Sequence, residues 1–207
     1  MKDKIISFSL WGDDPDYYIG AIKNIELAKK IYPDWTCKFY ISTCVPIDII
    51  KKISETSQVE LRNKKSKFDG AFWRFEAAED NDGITIFRDT DSRLSYREKA
   101  AVDNWILSKN KIHIMKDHPH HNAFALAGMW GVIGKLEGIK KAIQNFPSKD
   151  HYGCDQEFLE QFIDKNFSFT VHDETFSNNP FPISRKMGDP YIGEKFDKYD
   201  NFNQAKR

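Results

Sequence analysis

Apolar and polar positions switch between two periods along the first part of the chain. Lys4-Ile5-Ile6-Ser7-Phe8-Ser9-Leu10 is a short, mostly apolar run and predicts a buried strand. Trp11-Gly12-Asp13-Asp14-Pro15 breaks it, with an aspartate suited to cap a helix and Pro15 near the first turn, where its missing N–H costs little. From Tyr18 onward Ile19, Ile22, Ile25, Ala28 and Ile31 recur at helical spacing until Pro33-Asp34. Residues 36–42 predict a second strand, Ile47, Ile50 and Ile53 a short helix opened by Val45-Pro46, and 58–61 a third strand. This βαβαβ order with short joins predicts a three-layer α/β fold with a mainly parallel central sheet.

A helix over about 69–79 follows, with Phe68, Phe72 and Phe75 as a core stripe and Arg74 on another part of its surface, solvated or aimed at phosphates. Asn81-Asp82-Gly83 then opens a β-branched run, Ile84-Thr85-Ile86-Phe87-Arg88, which leads into Asp89-Thr90-Asp91. In extended backbone Asp89 and Asp91 would share one face, roughly 6–7 Å apart. Two such carboxylates form a hard-oxygen site that takes Mg2+ or Mn2+ together with substrate phosphates; the bland alternative is a solvated turn with an arginine–aspartate pair. Ser95-Tyr96-Arg97-Glu98 has capping-box spacing and opens a helix through Ala101, Val102, Trp105 and Ile106. A strand over 111–115, a glycine-punctuated apolar stretch over 125–134, helices around 136–146 and 158–163, and a strand over 167–173 complete the pattern. The prolines and glycines after 176 predict an irregular C-terminal wrap.

Composition narrows the function classes. A chain of 207 residues with 40% apolar content predicts one domain with a sizeable core, and 31 basic against 31 acidic residues leave no global field for nucleic acid. The apolar run after Met1 is too short for a signal peptide or membrane span, and three cysteines without CxxC spacing argue against a disulfide framework, so a cytoplasmic protein is expected. Oligomeric state is open.

The position of the aspartate pair, after three strands, separates the candidate chemistries. A haloacid-dehalogenase-type phosphatase carries Asp-x-Asp on its first strand with Thr or Val two residues on, where this chain has Arg93. A nucleotide-sugar pyrophosphorylase would need a glycine-rich loop where Leu10-Trp11-Gly12-Asp13 stands. With Phe72-Trp73-Arg74-Phe75, the Asp89-Thr90-Asp91 motif, Asp117-His118-Pro119 and Gly153-Cys154-Asp155-Gln156, the chain resembles GT-A-type glycosyltransferases of a small bacterial and large-DNA-virus group, over roughly 4–196.

The resemblance implies transfer of a hexosyl or deoxyhexosyl group from a nucleoside-diphosphate sugar, a UDP-sugar favoured, to a glycan or other hydroxyl acceptor, with Mn2+ or Mg2+. It implies metal ligation by Asp91 and Asp89, with His172 as a third ligand, and donor contacts from Leu10, Trp11, Gly12, Arg74, Asp89 and Arg93. Asp155 would be the general base of an inverting reaction, the alternative being a helix cap. His118, His121, Gly128, Met129 and Trp130 would bind sugar or acceptor, polar groups beside an apolar platform. It divides the chain into a nucleotide-binding half (about 1–94), an acceptor half (about 95–175) and the wrap (176–207). Two other classes stay open: a non-catalytic nucleotide-sugar or carbohydrate-binding module of this fold, and a phosphohydrolase using Asp89 as nucleophile.

Overall fold

The computed structural model describes residues 2–177 and 179–202; the end of the expected wrap, 203–207, lies outside them. In chain order the elements are β1 (Lys4–Leu10), α1 (Pro15–Ile31), β2 (Thr36–Ser42), α2 (Ile47–Ser54), β3 (Gln58–Arg62), α3 (Gly70–Trp73), a 3-10 turn (Arg74–Glu76), α4 (Ala77–Asp80), β4 (Ile84–Arg88), α5 (Tyr96–Ser108), β5 (Ile112–Lys116), β6 (Trp130–Ile133), α6 (Ile139–Asn145), α7 (Cys154–Phe162) and β7 (Phe169–Asp173). One seven-stranded sheet runs β3-β2-β1-β4-β6-β5-β7. Every neighbouring pair is parallel except the two that β6 makes, with β4 and with β5.

The two faces of the sheet carry separate cores, as the period-2 pattern requires. Ile6, Phe8 and Leu10 of β1, Phe39 and Ile41 of β2 and Ile86 of β4 pack with Ile25 of α1, Ile53 of α2 and Trp105 of α5. Tyr40, Phe87, Ile114 and Trp130 face the other way, onto Phe72, Phe75, Ile139 and Phe158. That second layer is largely aromatic: Phe87 stacks on Trp130 with ring centres 4.1 Å apart, and Phe75 meets both edge-on. Ser7 and Ser9, polar in an otherwise apolar strand, also point to this side. Ser7 Oγ donates to the Arg74 carbonyl at 2.8 Å and Ser9 Oγ accepts from the Arg74 N–H at 3.0 Å. They hold the helix expected over 69–79 where it breaks into two single turns around a 3-10 turn.

Two expectations are changed by buried charge. Arg74 does not lie on a solvated helix surface but is buried in the interior. Ser95 Oγ does accept from the Glu98 N–H at 3.1 Å, yet the Glu98 carboxylate does not turn back to complete the capping box. Arg88, buried one residue before the aspartate pair, needs a countercharge more: its Nε donates to Glu98 Oε1 at 2.8 Å, where the Tyr32 hydroxyl also donates.

On the far side of the sheet His113 and His172 form a buried pair, Nε2 to Nδ1 2.8 Å, with the second ring nitrogen of His172 3.2 Å from Asn104 Oδ1. Burial pushes the His172 imidazole down to about 4, and burial, with His172 beside it, holds His113 well below its ordinary value. Both therefore take up protons more readily unfolded, near pH 6.5, than folded. Their contribution to stability is fully present above 6.5 and is lost as pH falls toward 4. The pair should subtract up to about 1.4 kcal/mol per pH unit and proton from stability in urea between pH 7 and 4.5. The raised Asp91 and Asp155 carboxyls give the opposite slope, so His172→Gln should lose less stability on acidification than the unaltered chain. An unchanged slope in that variant would assign the acid sensitivity elsewhere.

Candidate active site

The chain moves from β1 outward to β2 and β3, then returns to place β4 on the other side of β1, so the strand order reverses between β1 and β4. In open α/β sheets the crevice beyond the carboxyl ends of strands at such a reversal is where ligands bind. Here it is a cleft of about 860 Å³, lined by Trp11 and Gly12 after β1, Asp89–Thr90–Asp91 after β4, the approach to β6, the start of α7 and the tail at Tyr191, Gly193 and Lys195.

The aspartate pair is not the end of a strand. β4 stops at Arg88, and Asp89, Thr90 and Asp91 enter a turn in which the Ser92 hydroxyl donates to the Asp89 carbonyl at 2.9 Å. The strand ends there because Asn24 of α1, fully buried, takes over the backbone. Its Nδ2 donates to the carbonyls of Thr90 and Ser92 at 3.2 and 2.9 Å, and its Oδ1 accepts from the Leu94 N–H at 3.0 Å. Close approach of helix and turn requires Gly20, where an added Cβ would stand 2.0 Å from the Thr90 carbonyl oxygen.

The two carboxylates have different surroundings. Asp89 reaches back to the guanidinium of Arg74, which on its other nitrogen donates to Asp155 Oδ2 at 3.1 Å. One buried arginine thus bridges the turn after β4 and the first turn of α7. Burial works against the Arg74 charge, but Asp89 and Asp155 outweigh it and raise its pKa. Burial likewise raises the Asp155 carboxyl, with Arg74 pulling it down. The Asp155 side chain makes no capping bond for α7; its Oδ1 accepts only from the adjoining Gln156 N–H, at 3.0 Å. Gly128 gives Asp89 its room, since a Cβ there would lie 1.9 Å from Asp89 Oδ2.

Asp91 lies on the other side of the turn. The Tyr17 hydroxyl faces it, and Lys195 Nζ stands 3.9 Å from Oδ2. Burial first, then the charge of Asp89, push Asp91 up to about 6, against the pull of Lys195 and Tyr17. Burial and the same two aspartates raise the Tyr17 hydroxyl, which keeps it a donor.

Among the described residues no group of three or more His, Cys, Asp and Glu could hold a metal alone. Asp89 and Asp91 nonetheless fit a hard divalent ion of the kind that takes one or two carboxylates and completes its shell with water and substrate phosphate. The raised Asp91 is the observation that fits: two carboxylates repel across a partly dry cleft, and a cation between them would offset that.

The cleft brings together most of the expected residues: Trp11, Gly12, Arg74, Asp89, Asp91, His121, Gly128, Met129 and Asp155. Five lie elsewhere. Leu10 is core, its side chain turned to the α1 face. Arg93 grips the turn from behind, donating to the Ser92 carbonyl at 2.9 Å, the Asp197 carbonyl at 3.1 Å and Asp200 Oδ1 at 2.9 Å. Trp130 is buried in the aromatic layer, because its strand position turns it toward Phe87. His118 stands outside the lining, packed on Tyr191 with ring centres 4.6 Å apart. His172, expected as a third metal ligand, is instead committed to His113 and Asn104 in the interior and does not line the cleft. Tyr17, Asn24, Tyr191 and Lys195 join the site without any sequence expectation for them. Nothing in their local sequence marks them, since each meets the turn or the cleft only through the fold.

No protein-family model matches the sequence, and no curated protein matches it. Solved structures do. A mannosyltransferase from Pyrobaculum calidifontis, in complex with GDP-Man and Mn2+, superposes with a TM-score of 0.58 at 11% identity, over 84% of this chain and 56% of that one. A 4-diphosphocytidyl-2C-methyl-D-erythritol synthase from Anaerococcus prevotii superposes with a TM-score of 0.52 at 14% identity, over 85% and 91%. A Mycobacterium tuberculosis protein solved with manganese gives 0.52 at 6% identity, over 84% and 91%. At these identities the likeness is one of architecture, and the chain has the three-layer α/β, GT-A-like fold of nucleotide-diphospho-sugar transferases.

Proposed function

We propose that this protein is a metal-dependent glycosyltransferase that moves a sugar from a nucleoside-diphosphate sugar, a UDP-sugar favoured, to a hydroxyl of a glycan or similar acceptor. The observation that carries the reading is the convergence of Asp89, Asp91 and Asp155 on one switch-point cleft, where Arg74 and Lys195 are the arginine and lysine that line it among the described residues. Residues 1–94 are read as the donor half, 95–175 as the acceptor half and the remainder as the wrap that supplies Lys195.

Asp91 and Asp89 would hold a Mn2+ or Mg2+ ion, which when bound neutralises charge on the departing nucleoside diphosphate. Trp11 lines the cleft beside Gly12, edge-on to Phe68 with ring centres 5.9 Å apart, and would give the nucleoside an apolar edge once Lys64, 4.9 Å over its ring, turns to a phosphate. Lys195 stands where its ammonium reaches the diphosphate, a compact charge on a flexible stem. Tyr17, whose hydroxyl favours the ionised form of Asp91, would help keep that carboxylate available to the ion. His121, Met129 and Tyr191 line the opposite part of the cleft, an apolar platform with a polar rim for the acceptor. Asp155, held by Arg74 and raised by burial, takes the proton of the acceptor hydroxyl if the reaction inverts.

A panel of nucleotide sugars screened by thermal shift, with and without Mn2+, tests this. A donor should raise the unfolding midpoint only with the metal, since binding restricted to the folded state stabilises it. The same donor should be slowly hydrolysed, and Asp155→Asn should remove turnover while sparing the shift. Binding without turnover against a panel of acceptors would instead indicate a binding module, and no donor shift at all would refute the proposal.

A further inference from the structure

The strap that follows β7 has a surface of unusual composition. It is pinned from beneath: Phe181 is buried under the Arg97 guanidinium, 4.1 Å from its ring centre, and Arg97 Nε donates to the Ile183 carbonyl at 2.8 Å. The outward side chains are nonetheless large and apolar, with Phe176, Ile183 and Met187 exposed to 53%, 46% and 104%. Isolated exposed apolar residues need no explanation, but three on one anchored segment do. The sequence from 175 to 188 contains no Asp or Glu and carries Arg185 and Lys186. Lys116 adds a third positive charge, 5.8 Å from the centre of the Phe176 ring.

These groups border the acceptor side of the cleft. Arg97, which holds the Ile183 carbonyl, also donates to Asp117 Oδ1 at 3.0 Å, and the Asp117 N–H donates to His121 Nδ1 at 3.0 Å, which ties the strap to a residue that lines the cleft. Apolar side chains alone would suit a second protein. Apolar tips interleaved with Arg185, Lys186 and Lys116, and bordered by Glu174, which is paired with Arg97 at 3.0 Å, and by Asp189, suit a surface that is apolar below and anionic above.

We propose that this strap docks on an anionic lipid bilayer, with Phe176, Ile183 and Met187 entering the headgroup layer and Lys116, Arg185 and Lys186 facing lipid phosphates. The contact is peripheral, since no helix among the described residues is long and apolar enough to cross a membrane. Together with the transferase reading, on which this last step rests, docking sets the His121–Tyr191 side of the cleft beside the membrane, where a membrane-borne acceptor would enter.

Co-sedimentation of the full chain with phosphatidylcholine vesicles containing about one-third phosphatidylglycerol tests the contact. The protein should pellet with these vesicles, not with phosphatidylcholine alone, and be released by high salt. Arg185→Glu/Lys186→Glu and Phe176→Ser/Ile183→Ser/Met187→Ser should each weaken binding at least about tenfold, with an unchanged unfolding midpoint. Failure to pellet with the anionic vesicles overturns the proposal, as does binding indifferent to both variants. A dimer in solution that the triple serine variant dissolves, without vesicle binding, overturns it in favour of a second copy of the chain. Donor hydrolysis in solution is unaffected by any of these substitutions, so the outcome is separable from the transferase reading.

Discussion

Asp91→Asn is expected to make the metal-free protein more stable and, on the proposed function, to remove metal-dependent donor binding and turnover. The Asp91 carboxyl ionises near pH 6 in the folded chain against an ordinary value of 3.8. Between those values the folded state holds the extra proton, so raising the pH weakens the fold. Above pH 6 the ionised group costs about 2–3 kcal/mol. Asparagine removes the charge and can still accept from Tyr17. The unfolding midpoint at pH 7.5 should rise by about 4–10 °C, while the Mn2+-dependent shift with donor disappears and turnover falls by more than about a thousandfold. A merely structural aspartate gives the reverse signature, lower stability with residual activity. A lowered midpoint, or retained turnover, would remove Asp91 from the proposed chemistry.

Arg74→Ala should have the largest cost to the fold. The guanidinium, 5% exposed, joins Asp155, 13% exposed, to Asp89, which at 43% exposure keeps water, so the buried charge that its loss leaves behind is that of Asp155. Deleting one partner of a buried ionic cluster leaves uncompensated charge, at a cost of about 3–5 kcal/mol. Orphaned carboxylates relieve that cost by taking up protons, so the deficit should shrink when urea unfolding is repeated near pH 5. Arg74→Lys should fall between, because an ammonium cannot span both carboxylates as the planar fork does. It also gives a readout if the alanine variant does not fold. A deficit below about 1 kcal/mol would mean that the bridge is not a structural centre.

The strength of the bridge bears on how the site is assembled. Arg74 arrives on a broken helix held by Ser7 and Ser9, Asp89 on a turn clamped by Asn24, and Asp155 on the first turn of α7. Three segments separated in sequence are thereby held in register before any ligand binds. The tail closes the arrangement: the Phe196 N–H donates to the Asp91 carbonyl at 2.8 Å, and the Ile192 N–H to Asp117 Oδ2 at 2.9 Å.

What the sequence alone determined was local. The period-2 runs and helical spacings specify β1, α1, β2, α2 and β4 closely, because each element's burial pattern is written in its own residues. The same order of elements implies parallel crossovers, and so a switch point with Trp11 and Asp89 on its two sides. Chemistry-bearing types in the segments that follow strands or open a helix, Asp89, Asp91, His121 and Asp155, are visible in the sequence as well. Only the tertiary structure decided which way each group faces and what neutralises it. His172 and Trp130 look alike as candidates in sequence, but sheet register turns both into the interior. Arg93, two residues past Asp91, is drawn behind the turn by Asp200, while Arg74 is drawn in between two carboxylates. Tyr17 and Lys195 reach Asp91 from 74 and 104 residues away, and no local pattern records such a meeting. Periodicity reports whether a position is buried, and the partner of a buried charge is chosen by the whole fold.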